Sequence, residues 1–233
     1  GPQGVPEAIQ PSVPVAPWPK GIGVRQIVQA FGAQHGMTVK NQGDPRFVKA
    51  LKQLAIHILQ TEGDIIEIRT KRQVLRLDKW ELRRRLNDTL LGALDDETRA
   101  LVRVLTEAEM AAQASPTDQD KKAAVTDGIH ALVQGIRSNP ATLWGVLQTI
   151  HLNGTIFLDP GVEVILVQNF FRNASVPLSI QRSLAREFLA DIETSLRGMQ
   201  AGSKDYQRLT GIALALQQSL TLWNLPMTVA RSI

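Results

Sequence analysis

Eight cationic side chains crowd one short stretch of the chain: Arg69, Lys71, Arg72, Arg76, Lys79, Arg83, Arg84 and Arg85. Between Arg69 and Arg85 only Asp78 and Glu81 oppose them, so the stretch stands at +6 within a chain whose formal charge is +4. The remainder is therefore −2, and the basic character is local. Cations at this density suit phosphate, because each contact releases condensed counterions and arginine grips a phosphate through two N–H groups at once. The competing role is a solvated helix face whose arginines pair with Asp88, Asp95, Asp96 and Glu97 just downstream. Around Arg83 and Arg84, positions 79, 80, 87 and 88 hold one carboxylate, Asp88, which favours the phosphate role. Trp80 is the one aromatic nearby, so base stacking fits poorly and contact with a nucleic-acid backbone fits better.

Other chemistry is sparse. Glu187 and Asp191 are spaced i, i+4 on one helical face, a spacing that serves acid–base work, but Arg182 and Arg186 beside them point to an ion-paired face. The histidines His35, His57, His130 and His151 are far apart in sequence and lack a second ligand at metal spacing, so no metal site is expected. No phosphate-binding loop, zinc-protease, EF-hand or GxSxG pattern occurs, and Gly21-Ile22-Gly23 is too short for a dinucleotide fingerprint. With no cysteine, disulfides, thiolate metal sites and cysteine nucleophiles are excluded. No cofactor is expected. Glycosylation sequons start at Asn87, Asn153 and Asn173, and without a secretory pattern ahead of them they carry no weight.

The elements that position these residues follow from periodicity. At 43% hydrophobic and 21% charged residues the chain is an ordinary folding sequence, and with aromatics at 5% its core must rest on Leu, Ile, Val and Ala. Six of the twelve prolines fall in residues 1–20, which forbids regular helix there and predicts an extended arm or linker. Trp18, between two prolines, either packs locally or docks on the body or a partner. From Gly21 the spacing is helical: Val24, Ile27, Val28 and Phe31 form one stripe, and Phe47, Val48, Leu51, Leu54, Ala55 and Ile58 another. The pairs Asp44-Pro45, Asn139-Pro140 and Asp159-Pro160 each read as a helix cap followed by a proline whose missing N–H costs nothing.

Residues 65–77 alternate apolar and polar, which suits a short hairpin turning at Lys71-Arg72, with a continued helix nearly as well suited. Asp78 with Glu81 makes a capping box, so a helix begins at Lys79. Three consecutive arginines at 100° per residue spread over about 200°, so at least two of Arg83, Arg84 and Arg85 must leave the buried face. Ala114 to Thr117 breaks the next helix and marks an internal boundary, which predicts subdomains at 21–114 and 118–233. Val162 to Phe171 is apolar nearly all round and predicts the central buried helix, a strand at 162–167 being the alternative. Long amphipathic helices start at Ser179 and at Ser203 or Asp205.

The expectation is a mainly α, compact bundle of eight or nine helices with at most a short hairpin near residues 65–77. A proline-rich arm ahead of a helical body without catalytic residues is the arrangement of an assembly or shell protein, for instance a viral capsid or nucleocapsid subunit, though that is analogy. The expected function is non-enzymatic: self-association, with nucleic-acid backbone held by the basic segment 69–85. The alternative is a helical adaptor that binds an acidic protein partner or an anionic membrane surface. No apolar run approaches the roughly 18–20 residues of a membrane span. A soluble intracellular or virion-associated protein is therefore expected.

Overall fold

The computed structural model describes residues 16–40, 45–136, 140–152, 160–171 and 178–223. The predicted caps Asp44, Asn139 and Asp159, and all of the proline-rich arm before residue 16, lie outside them. Among the described residues nine helices and one antiparallel hairpin follow in the order α1 Val24–Gln34, α2 Pro45–Gln60, β1 Ile65–Arg69, β2 Val74–Asp78, α3 Lys79–Gly92, α4 Asp96–Ala114, α5 Gln119–Ile136, α6 Pro140–Leu152, α7 Pro160–Phe170, α8 Leu178–Arg197 and α9 Lys204–Trp223. The mainly α expectation holds. No helix among the described residues is long and apolar enough to cross a membrane.

Local chemistry sets the boundaries. Helix α1 stops at Gly36, whose φ of 74° lets the N–H groups of Gly36 and Met37 turn back onto the carbonyls of Ala33 and Gly32. Helix α3 starts where Asp78 accepts from the Glu81 N–H at 2.9 Å, and α4 where Asp95 accepts from Thr98 at 2.7 Å. Ser203 opens α9 by accepting from the Tyr206 N–H at 3.1 Å.

The residues at 65–78 form the hairpin rather than a helix. Ile66 faces Leu77 and Ile68 faces Leu75 on the buried side, while Glu67 faces Arg76 and Arg69 faces Val74 on the open side. Two-residue hairpin turns favour positive φ, yet no non-glycine residue among those described has it. Thr70 closes the turn instead. Its N–H donates to the Gln73 carbonyl at 2.8 Å, and its hydroxyl oxygen accepts from the Gln73 N–H at 3.1 Å.

Two apolar clusters result. The first joins α1, α2, the hairpin and α3, with Leu152 reaching in from α6. The second joins α4 to α9, with Leu59 reaching in from α2. The core therefore changes between Leu90 and Leu94, ahead of the break at 114–118. That break is the tight turn between α4 and α5, which pack closely: a Cβ on Gly128 would meet the Leu105 side chain at 3.1 Å.

Two expectations about inside and outside are corrected. Helix α7 is not apolar on every buried side: Ile165 is 45% exposed, whereas Glu163 is 1% exposed. On α8 the i, i+4 spacing of Leu184 and Phe188 predicts an inner stripe, yet Leu184 is 37% exposed. Trp18 docks on the body. Its indole N–H donates to the Ile22 carbonyl at 2.8 Å, and the Arg85 guanidinium lies over its ring at 4.2 Å. Trp18→Ala is expected to cost on the order of 1–2 kcal/mol, from half-buried apolar area plus the cation–π contact. A denaturant melt in which the variant matches the parent within about 0.3 kcal/mol would mean the ring contributes nothing there.

Candidate nucleic-acid interface and the charged seam

The eight predicted cations divide into two groups. On the hairpin, alternation sends Arg69 and Arg76 to the open face, and the turn exposes Lys71 and Arg72. Arg76 pairs with Glu67 directly across the ladder at 3.0 Å, with both side chains well exposed. Arg69, Lys71 and Arg72 form no ion pair with any described residue. Val74, 47% exposed, shares their open face, and the second strand runs from there into the base of α3.

At that base the cations are engaged. The Lys79 ammonium donates to the Thr61 carbonyl at 2.8 Å; burial and the Arg83 charge pull its pKa below the ordinary lysine value, against Asp205 and Asp64. Arg84 and Arg85 both reach Glu81, at 2.6 and 2.7 Å. Burial alone would raise the Glu81 pKa, but the two arginines hold it below the usual range. Arg84 keeps 59% of its side chain exposed and Arg85 40%, so both still present charge outward.

Arg83 is a correction. Expected among the phosphate-binding cations, it has 0% exposure, and its two terminal nitrogens grip Asp205 at 2.7 and 3.1 Å. A guanidinium sealed in this way cannot reach a phosphate. The acidic partners named from sequence are also replaced: Glu81 and Asp205 hold the arginines, not Asp95, Asp96 or Glu97.

Asp205 belongs to a buried charged seam between α3, α6, α7 and α9. Its Oδ1 also accepts from Arg208 at 3.0 Å, and Arg208 donates to the Ile150 carbonyl at 2.6 Å and to Glu163 at 3.3 Å. Ile150 lies in the last turn of α6, whose carbonyls have no helical partner, so the cation satisfies an orphaned acceptor and the helix dipole together. Burial would raise Asp205, but the charges and hydrogen bonds of Arg83 and Arg208 hold it down to about 2. Glu163 goes the other way. Burial pushes it up to about 7, against Arg208 and with help from Glu109 and Asp205.

Beside the seam, His151 Nε2 lies 2.7 Å from Ser195 Oγ, and that hydroxyl donates to the Asp191 carbonyl at 3.1 Å. This resembles a base next to a nucleophile. Both residues have 0% exposure, however, and burial together with the Arg208 and Lys52 charges drives His151 down to about 3. A neutral imidazole donating to a serine that back-bonds its own helix is a packing contact. The Glu187–Asp191 pair also finds a role that sequence left open: both carboxylates take Lys52 of α2, at 2.6 and 3.1 Å, rather than Arg182 or Arg186.

No group of three or more His, Asp or Glu among the described residues is arranged to hold a metal ion. Asn87 is buried in α3 and cannot carry a glycan in the folded chain. No protein-family model, curated protein or solved structure matches this chain.

Proposed function

We propose that this is a non-enzymatic structural protein that self-associates and holds a nucleic-acid backbone on its hairpin face. The observation that carries the reading is the hairpin tip, where Arg69, Lys71 and Arg72 stand exposed without ion-pair partners among the described residues. Arg76, Arg84 and Arg85 flank them with paired but exposed charge. Three cations on a two-stranded support suit phosphates along a backbone without reading bases. The exposed apolar side chains Ile165 on α7, Leu178, Ile180 and Leu184 on α8, and Leu214 on α9 support association with further copies. An assembly or shell protein of the capsid or nucleocapsid kind fits this arrangement by analogy.

The test is a salt titration with a duplex oligonucleotide. Binding at about 50 mM salt is expected to weaken with a log–log slope of about −2 to −3, one phosphate for each tip cation. Changing Arg69, Lys71 and Arg72 together to Glu should abolish it, while exposed positions like these cost under about 0.5 kcal/mol each. If the parent protein binds no nucleic acid at that salt, the phosphate reading fails and an acidic protein partner takes its place. Solution mass and the 260/280 nm absorbance ratio of the purified protein test association and carried-over nucleic acid together.

A further inference from the structure

A cleft on the opposite apolar cluster has no part in the phosphate reading. It lies between α2, α6 and α8, holds ≈ 410 Å³ including its open mouth, and is walled by Leu143, Leu147, Phe171, Leu184 and Phe188. The polar groups that line it are Lys52, Gln148, Glu187 and Asp191.

The unused hydrogen-bonding capacity in this cleft is all of one kind. Gln148 is 4% exposed, yet its Oε1 has no hydrogen-bond partner among the described residues. Asp191 Oδ2 is 3.1 Å from the Lys52 ammonium, close enough for an ion pair, but it too lacks a well-aligned hydrogen bond. Buried acceptors left in this way cost free energy until a donor arrives. The charge is equally one-sided, since one ammonium faces two carboxylates and leaves the cleft at −1. No other charged side chain among the described residues lines it. Glu187, with 60% of its side chain exposed, and Leu184, at 37%, are the most exposed of the lining residues, whereas Gln148 is buried.

We infer that this cleft binds a protonated amine carried on an apolar stem. The stem packs on Leu143, Phe171 and Leu184, and the ammonium supplies N–H donors to Gln148 and Asp191 while neutralising the excess carboxylate. Burial raises the Asp191 pKa despite the Lys52 ammonium beside it, and the neighbouring Glu187 charge adds to the rise. An arriving cation relieves that strain. The same chemistry comes from two sources, a free alkyl- or arylamine and a lysine side chain of a second copy.

The experiment titrates the full chain with phenethylammonium, its carboxylate counterpart 3-phenylpropanoate and neutral 2-phenylethanol, following the methyl and side-chain amide resonances by NMR. Phenethylammonium should saturate with a dissociation constant on the order of 1 mM, and both controls should bind at least about tenfold more weakly. Glu187→Gln should weaken the amine about tenfold. With 60% of that side chain exposed, folding is not at stake. Gln148→Met should weaken it too. Equal binding of all three compounds, or amine binding that ignores Glu187→Gln, would overturn the inference. Sedimentation separates the sources: if the amine dissociates self-associated protein, the natural occupant is a neighbour's lysine, and if mass is unchanged it is a free amine. Failure here leaves the hairpin reading untouched, since no residue is shared.

Discussion

Asp205→Ala should be the most damaging single substitution in the seam, lowering folding stability by about 3–5 kcal/mol, the range for removing one partner of a buried charge pair. The reason is that one carboxylate serves two guanidinium groups. Without it Arg83, at 0% exposure, and Arg208, with 8% of its side chain exposed, remain in low dielectric without their shared counterion. Arg83→Met should cost less, because the Asp205–Arg208 contact survives and a methionine stem fills much of the vacated volume. The order of the two variants in a urea melt carries the claim. If Asp205→Ala costs under about 1 kcal/mol, or less than Arg83→Met, the seam does not hold the clusters together.

The second large effect is a hidden pH dependence. Glu163 at about 7 lies above its ordinary 4.5, so the folded state takes up a proton before the unfolded chain does. Its stabilising contribution is full below about 4.5 and is lost as pH rises through 7. His151 at about 3 lies below its ordinary 6.5, so its contribution is full above 6.5 and is lost as pH falls toward 3. Between about pH 4.5 and 6.5 the two slopes oppose each other, one proton each, and their sum is nearly flat. Asp205 adds nothing in that window, because a carboxyl held at about 2 matters only below 3.8. Glu163→Gln should therefore expose the His151 slope. Its stability should fall on acidification from 6.5 to 4.5, by as much as about 2 kcal/mol at 1.36 kcal/mol per unit. A variant whose melts superimpose across that window would show that His151 takes up protons in the folded state.

Much of the architecture was legible because it is local. Asp78, three residues before Glu81, starts α3 wherever the helix later packs, and the alternation from Ile65 to Leu77 turns into a hairpin because two residues, Lys71 and Arg72, remain for the turn. Geometry also required that two of the three consecutive arginines face outward, and Arg84 and Arg85 do. Which arginine turns inward was not legible. That depends on Asp205, 122 residues away, whose place near the start of α9 made it look like a cap. The same holds for Glu163 and Ile165. Composition makes α7 apolar all round, but only Arg208 on α9 decides that the glutamate is the buried one. The hairpin cations were legible as a charge cluster. Their freedom from ion-pair partners among the described residues was not, because Glu67 and Glu81 each satisfy some of the segment and neither reaches the tip.

The two-pronged grip of Arg83 on Asp205 has a consequence for angular tolerance. Two parallel N–H···O bonds lose their alignment on a small rotation, which adds a directional constraint to that of the interdigitated apolar surfaces. The clusters on either side of the seam therefore share one bearing, and the hairpin on one and the cleft where α2 meets α6 and α8 point in fixed directions. A closed ring needs every subunit to turn by the same angle, and an error of a few degrees repeated around it leaves a gap or opens a spiral. Under the self-association proposed above, the seam would set the gauge of the assembly, and a variant that loosens it should give particles of mixed size before it gives unfolded protein.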